Sequence, residues 1–305
     1  MSEAMRYERF GGPEVLTYTT EPIPEPEAEQ VRVAVYYAGV NPVDGKFRSG
    51  AFAKADQPSR PRGTGLDAAG IVDAVGEQVH ALQVGQPVFG QVATGAAATH
   101  ALTTPERLVP KPAWLSFDQA AALPVPLTTA ARVLDELEVG AGQTLLVHAA
   151  AGAVGILTAQ LAMARSATVV GTASTVNHDF LRELGVVPVS YGEGWVERVR
   201  TAVPQGVDVV LDASGRGVVA GSVELTGNAA NVVSIADDRA PEHGARFSSS
   251  GGPTLAEVMD RVAPLLEQGR VRLPIAAIFP LAEAVRAYEQ SEAGHVRGKL
   301  LLRTA

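Results

Sequence analysis

The chain has 305 residues, 46% of them hydrophobic, which is enough to bury one large core or two moderate ones. Its formal net charge of -8 argues against a nucleic-acid binder, because phosphate recognition needs a basic face. Cysteine is absent, which excludes disulfides, a thiolate nucleophile and a cysteine-based zinc site. The N-terminal residues lack a basic region followed by an apolar one, so we expect no signal peptide and a cytoplasmic location.

The first third of the chain, up to about Val109, is predicted to be a β-rich domain. Short apolar runs alternate there with Gly and Pro turns, and strands are predicted over Val31–Ala38, Ala69–Val75 and around Val84–Phe89. The segment GVNPVDGKFRSG lies between the first two strands. Its Asn41-Pro42 step indicates a turn, because helical conformation is disfavoured just before proline.

Near Trp114 the pattern changes to alternating helices and strands. Ser116 is predicted to cap a helix, with Gln119 placed to complete a capping box. The later alternation predicts a parallel sheet with right-handed crossovers. The predicted helices span 177–184, 195–202, 218–225 and 254–268, and the strands between them span 187–190, 207–212 and 230–235. Beyond Gly269 the chain is again β-rich, and we expect this tail to return to the first domain.

The stretch from Thr144 to Ala173 reads as one βαβ unit with a glycine-rich turn. Its pattern is A-x-x-G-x-x-G, with Ala149 where a third glycine is common, followed by Gly152 and Gly155. Small residues there let the backbone approach a pyrophosphate, whose charge then lies at the helix N-terminus. A tight turn of any α/β protein is the alternative. A membrane span over 145–164 is rejected, since that stretch contains His148, polar side chains and two glycines.

The second strand of this unit ends at Ser174 without an acidic residue. A carboxylate that binds the ribose 2′-hydroxyl of NAD usually follows the glycines by about 20 residues. Here no Asp or Glu occurs between Gly155 and Asp179, which indicates a preference for NADPH. A turn role for Ser174 remains open, and His178, Arg297 and Lys299 are candidate basic partners of the 2′-phosphate.

Other catalytic motifs are poorly supported by the sequence. The histidines are scattered, with no HxxxH pair, so no metal site is predicted. Ser214 lies at a strand end but has no G-x-S-x-G motif around it, which argues against a Ser–His–Asp triad. We therefore predict that the chemistry rests on a bound nicotinamide.

The chain resembles the zinc-independent quinone oxidoreductases, the zeta-crystallin-like branch of the medium-chain dehydrogenase/reductase superfamily. The matching segments occur in family order over nearly the whole chain: GVNPVD, RSG, PRGTGLDAAGIV, VGQPVFG, AALPVPLTTAARVL, VHAAAGAVG, GTAS, VDVVLDASG and HVRGKLLL. The resemblance implies a GroES-like β-rich catalytic domain (1–120 and 270–305) and a Rossmann domain (121–269). The active site is expected in the cleft between them.

The resemblance also implies the chemistry. Where zinc-dependent relatives carry a cysteine, this chain reads NPVD, so both zinc sites are expected to be missing. Without a Lewis acid, reduction of a quinone or an α,β-unsaturated carbonyl is favoured over alcohol oxidation. Alternatives are a reductase of 2-enoyl thioesters or biosynthetic enones, and a non-catalytic NADPH-binding protein.

The site residues follow from the same resemblance. Asn41 is expected beside the nicotinamide and the acceptor, as the catalytic residue and a cofactor contact. The remaining predicted cofactor contacts are Thr129, Gly152, Ala153, Val154, Gly155, Ser174, Tyr191, Ala213, Ser214, Ile235, Phe247 and Lys299. Phe247 is expected in a loop that closes over the cofactor, and a structural salt bridge is the alternative for Lys299. Lys46 replaces a frequent tyrosine, which leaves the proton donor open. A small-molecule partner and a possible homodimer are expected.

Overall fold

The computed structural model describes residues 1–304, which divide into two compact units. The first unit comprises Met1–Val125, Thr254–Arg261 and the chain from Leu273 onward. The second unit comprises Pro126–Pro253 and Val262–Arg272.

The strands and helices are numbered along the chain. The strands are β1 Ser2–Tyr7, β2 Thr17–Glu21, β3 Val31–Val40, β4 Arg62–Gly63, β5 Asp67–Val75, β6 Pro87–Gln91, β7 His100–Thr103, β8 Leu108–Pro110, β9 Thr144–His148, β10 Thr168–Ala173, β11 Val187–Ser190, β12 Val209–Asp212, β13 Val232–Ser234, β14 Arg246–Phe247, β15 Ile275–Pro280 and β16 Lys299–Arg303. The helices are α1 Pro42–Arg48, α2 Phe117–Ala122, α3 Pro124–Glu136, α4 Ala153–Ala164, α5 His178–Glu183, α6 Trp195–Ala202, α7 Val219–Thr226, α8 Leu255–Glu267 and α9 Ala284–Ala293.

The second unit contains a parallel sheet in the order β11-β10-β9-β12-β13-β14. This is the strand order of doubly wound α/β folds. The chain adds β10 and β11 on one side of β9 and then adds β12, β13 and β14 on the other side. Every residue of the central strand β9 is buried, as expected when helices cover both faces of a sheet. The structure therefore confirms the predicted Rossmann architecture.

The first unit is built on β-sheets whose strands pair antiparallel, except for the parallel pairing of β15 with β16. Its larger sheet runs β15-β16-β3-β5-β6-β8, with β7 also paired to β3, and a smaller sheet runs β2-β1-β4. β16 pairs antiparallel with β3, from Leu300 opposite Val40 to Arg303 opposite Tyr37. The tail of the chain thus returns to the first unit, as the sequence predicted.

Some local predictions were wrong. Ser116 lies at the N-cap of α2, but its hydroxyl bonds the carboxylate of Asp118 and makes no cap hydrogen bond, so the capping box does not form. An acidic neighbour competes for the hydroxyl there. Phe247 lies in β14, paired with Ser234, and packs against the buried core of the second unit. It is a partly buried sheet residue that pairs with β13, whereas a loop was predicted.

The apolar stretch 145–164 is a strand followed by a helix: it contains most of β9, the glycine turn and α4. Within residues 1–304, no helix has the length and apolar character needed to cross a membrane.

Candidate functional site

The turn between β9 and α4 has a strained backbone. Ala149 adopts φ 57°, in the left-handed region that residues with a Cβ rarely occupy. This is the position where the sequence pattern has alanine in place of a third glycine. Such strain persists only where the surrounding structure holds it, and it is concentrated at ligand sites.

The two glycines of the turn serve different purposes. A Cβ on Gly155 would lie 2.5 Å from the carbonyl oxygen of Ala149 and 2.7 Å from Cα of Ala150, so only glycine lets α4 pack this closely on the turn. A Cβ on Gly152 would meet nothing nearer than 3.4 Å. Gly152 is the N-cap of α4 and supplies no side-chain cap, so the first-turn N–H groups of Ala153, Val154 and Gly155 fit an anion such as a pyrophosphate.

The ends of β10 and β11 bring two predicted phosphate contacts to one sheet edge. Ala173 pairs with Ser190, so Ser174 and Tyr191 follow directly on neighbouring parallel strands. The Ser174 hydroxyl accepts a hydrogen bond from Asn177 Nδ2 at 3.1 Å. Tyr191 is 51% exposed, which leaves the residue open to a ligand.

Arg198 on α6 organises the Tyr191 loop, and the sequence reasoning missed it. Its guanidinium donates to the carbonyl oxygens of Ser190 at 3.0 Å, Tyr191 at 3.1 Å and Gly192 at 3.1 Å. The side chain also lines a cavity of about 410 Å³ with His178, whose Nε2 has no hydrogen-bond partner in the described part of the chain. The only feature of the sequence that could have predicted the contacts of Arg198 with these carbonyl groups is its position in a helix that follows a glycine turn.

A buried carboxylate holds the ends of β12 and β13. Asp212 accepts hydrogen bonds from the backbone N and the hydroxyl of Ser214, at 2.8 and 2.7 Å, and from the hydroxyl of Ser234 at 2.8 Å. The backbone N of Ile235 donates to the Asp212 carbonyl at 2.9 Å. The predicted contacts Ala213, Ser214 and Ile235 are therefore brought together around Asp212, which the sequence analysis did not single out.

The other two predicted contacts of the second unit lie apart from these strand ends along the chain. Thr129 is half-buried in α3, and Phe247 lies in β14 as described above.

His148, the last residue of β9, is buried in a neutral network. Its Nε2 lies 3.1 Å from the hydroxyl of Ser222, which itself donates to the carbonyl of Val218, so Nε2–H is the donor. Nδ1 then accepts from the hydroxyl of Thr172 at 3.0 Å. Burial lowers the pKa of His148 to about 4, although the charge of Asp212 opposes this. The imidazole is therefore a neutral structural group.

In the first unit, Asn41 joins a buried ion pair. Its Nδ2 donates to Asp67 Oδ2 at 2.9 Å, and its Oδ1 accepts from the ammonium of Lys299. Lys299 Nζ also lies 3.0 Å from Asp67 Oδ2. The other oxygen of Asp67 accepts from the backbone N of Val125 at 3.0 Å, at the start of α3. The salt bridge that the sequence left open for Lys299 is present, and the ammonium, on a side chain only 2% exposed, is held inside this group.

Asp44 adds a second carboxylate to this group, which we call the Asn41 cluster (Asn41, Asp44, Asp67 and Lys299). Asp44 Oδ2 accepts from the backbone N of Asn41 at 2.9 Å, while its Oδ1 has no partner among the described residues. Burial raises the pKa of the Asp44 carboxyl to about 7, against the opposing hydrogen bond from Asn41. Burial also raises the pKa of Asp67, and the charge of Lys299 opposes that shift.

Metal ligands are not grouped in the described structure. Across residues 1–304, no three or more His, Asp or Glu side chains lie close enough together to hold a metal ion.

Comparison with known proteins gives full-length similarities. The family model "Alcohol dehydrogenase GroES-like domain" matches residues 27–113, and the model "Zinc-binding dehydrogenase" matches residues 184–302. The chain is 32% identical to the quinone oxidoreductase of Mus musculus, over 99% of this chain and 98% of that protein. It is 32% identical to the chloroplastic NADPH-dependent alkenal/one oxidoreductase of Arabidopsis thaliana, over 98% of this chain and 79% of the relative. The crystal structure of Escherichia coli quinone oxidoreductase complexed with NADPH has a TM-score of 0.88 and 27% identity, covering 99% of both chains.

Proposed function

The chain belongs to the quinone oxidoreductases of the medium-chain dehydrogenase/reductase superfamily, and we propose that it reduces a quinone or an α,β-unsaturated carbonyl with NADPH. The observation that carries the proposal is the uncapped start of α4 behind the strained Ala149, followed by a strand end that has no carboxylate. The relatives named above, a quinone reductase and an alkenal/one reductase, support the same class of acceptor.

The second unit holds the cofactor in this proposal. The first-turn N–H groups from Ala153 to Gly155 bind the pyrophosphate, with Gly152 leaving room for it. The strand ends at Ala213, Ser214 and Ile235, together with Thr129 and Phe247, contact the nicotinamide side. NADPH, when bound, supplies a hydride from its nicotinamide ring.

Ser174 and Tyr191 bind the 2′-phosphate of NADPH. Their positions after a paired Ala173 and Ser190 support this assignment, as does the absence of an acid between Gly155 and Asp179. A carboxylate at the Ser174 position would repel the phosphate. Arg198 fixes the backbone of the Tyr191 loop through its carbonyl contacts.

Asn41 contacts the acceptor and donates a hydrogen bond to its carbonyl oxygen, where negative charge develops as the hydride arrives. Water supplies the proton that completes the reduction. The reaction needs no zinc ion in this proposal, because the chain has no cysteine and its Asn41 cluster offers an amide and an ammonium in place of metal ligands. The contact of Lys299 with cofactor phosphates stays a prediction, and the buried ion pair argues against it.

The test is NADPH oxidation by the purified protein with a panel of quinones, enones and enoyl thioesters. We expect turnover with at least one quinone or enone, tighter binding of NADPH than of NADH, and unchanged activity after dialysis against a chelator. No turnover with the whole panel contradicts the reductase proposal. Tighter NADH binding contradicts the role of Ser174, and loss of activity on chelation contradicts the zinc-free reaction.

Several finer expectations accompany the proposal. The first unit is the catalytic domain and the second the Rossmann domain, with boundaries predicted near residues 120 and 270. A cytoplasmic location and a homodimer stay predictions from the sequence and the family.

A further inference from the structure

Opposite charges hold the Asn41 carboxamide on two sides. Its oxygen faces the Lys299 ammonium and its nitrogen faces the Asp67 carboxylate, 2.9 Å away. A 180° rotation of the amide would place N–H groups against the ammonium and the oxygen against the carboxylate. The ion pair therefore determines which way the amide points.

The hydrogen-bond inventory of Asn41 leaves one donor unused. A carboxamide has two N–H groups, and Asp67 accepts from one of them. The backbone N of Asn41 is bound by Asp44, and its φ of -124° and ψ of 145° are those of an extended N-cap residue. Among the described residues, the second Nδ2–H has no acceptor. The backbone and both edges of the amide are fixed, so the direction of this N–H is fixed as well.

The residues around Lys299 leave room for its aliphatic side chain. A Cβ on Gly39 would lie 3.0 Å from Cε of Lys299, 2.9 Å from Cβ of Asp67 and 2.6 Å from the carbonyl oxygen of Ala121. Glycine at this position of β3 thus lets the lysine stem pass between the sheet and α2. Asp67 is fixed in turn by the backbone N of Val125.

We propose that Lys299 and Asp67 are positioning residues of the reductase, acting through Asn41. They fix the carboxamide so that its remaining N–H meets the carbonyl oxygen of the acceptor. Lys299 also polarises the amide, because a hydrogen bond to a charged donor strengthens the next bond in the chain. This inference rests on the proposed function.

A purely structural role explains the pair less well. Replacing a buried ion pair by neutral side chains of similar volume is often neutral or stabilising, because both charges lose their hydration on folding. Asp67 is 0% and Lys299 2% exposed. An apolar pair would fill the same space but could not orient the Asn41 amide, whereas an ammonium, which only donates, and a carboxylate, which only accepts, select one orientation.

The experiment is a double-mutant cycle between Asn41 and Lys299. N41A, K299M, N41A/K299M and D67N/K299M are compared with wild type in the reduction of 9,10-phenanthrenequinone by NADPH. kcat is expressed per NADPH-binding site, determined by fluorescence titration, so that misfolded protein does not count. K54M is the control, because Lys54 is an exposed lysine of the same unit.

We expect N41A to lower kcat about 100-fold, the effect of removing one such donor. K299M and D67N/K299M should each lower kcat at least 10-fold with NADPH affinity within about 2-fold of wild type. N41A/K299M should fall no further than N41A, since Lys299 acts through Asn41. K54M should match wild type.

Three outcomes overturn the inference. One is K299M with wild-type kcat, and another is N41A with wild-type kcat. The third is a double variant in which the two losses multiply, as for independent groups. If K299M binds no NADPH, the same comparison is made between D67N/K299M and N41A/D67N/K299M. Neither of these variants leaves a carboxylate at position 67 without its cation. A wild type that reduces no acceptor of the panel overturns the proposed function itself.

Discussion

The two units bury polar groups in opposite ways. In the second unit His148 is neutral, and both ring nitrogens have hydroxyl partners, Thr172 and Ser222. In the first unit the Asn41 cluster contains two carboxylates and an ammonium, and one oxygen of Asp44 has no partner within residues 1–304.

This difference indicates that the His148 network stabilises the fold, whereas the Asn41 cluster positions a side chain for the reaction. A satisfied neutral network rigidifies a core at little electrostatic cost, whereas buried charges oppose folding unless their pairing is complete. We therefore expect the neutral network to matter more for stability than the intact ion pair, and the charged cluster to matter more for turnover.

The largest effect on stability should come from breaking the ion pair on one side only. K299M leaves Asp67 buried without its cation, so the free energy of unfolding should fall by about 3–5 kcal/mol. D67N/K299M removes both charges and should lose about 1 kcal/mol or less. Urea titrations of both variants measure the contrast. Equal losses in the two variants would show that the pair stabilises the first unit by itself.

H148A should lower the free energy of unfolding by about 3 kcal/mol. The change leaves a cavity beside Trp195, whose ring centroid lies 4.7 Å from that of the imidazole, and removes the partners of two buried hydroxyls. H80A, at an exposed histidine, is the matched control and should be neutral. A loss in H148A smaller than that in D67N/K299M would reverse the comparison between the units.

The pH dependence of stability should have opposite signs for the two groups. The folded-state pKa of Asp44 is raised from 3.8 to about 7, so its contribution is present below pH 3.8 and is lost as pH rises through 7. The pKa of His148 is lowered from 6.5 to about 4, so its contribution is present above pH 6.5 and is lost as pH falls through 4. Each change in the free energy of unfolding amounts to about 3–4 kcal/mol.

Unfolding titrations between pH 4 and pH 8 separate the two contributions. D44N, which cannot ionise, should gain stability relative to wild type as pH rises. The deficit of H148A should shrink as pH falls. Parallel curves for wild type and D44N would mean that the folded protein does not protonate Asp44.

The smallest expected effect concerns the cofactor. S174D places a carboxylate where we propose the 2′-phosphate binds, so NADPH affinity should fall about 10–100-fold and NADH affinity should rise or stay level. S166D is the control, because Ser166 is exposed at the other end of β10. Equal weakening of both cofactors would indicate a structural defect in place of a change in specificity.

Local sequence patterns predicted the second unit well. β11 and α6 were predicted with their observed ends, because apolar periodicity and glycine turns are properties of neighbouring residues. The glycine turn was found as well, but the strain at Ala149 depends on a φ angle that no composition reveals.

The contacts within the Asn41 cluster could not be predicted from the sequence. Asp67 and Lys299 are 232 residues apart, and their pairing depends on β16 returning to β3. Asn41 was picked out by its resemblance to a family motif, and its partners follow only from the folded sheet. Phe247 shows a different limit of sequence-based prediction. Its edge strand has two residues, which are too few for an alternation of apolar and polar side chains to appear.

The pairing of β16 with β3 has a consequence for the order of events during synthesis. Asp67 leaves the ribosome long before Lys299, since the whole second unit is translated between them. Domains fold as units while the chain emerges. The second unit is thus complete while β3 still has an open edge, and Asp67 meets its cation only when β16 adds to that edge. A nascent chain can therefore fold its second unit before the Asn41 amide is held in its final orientation.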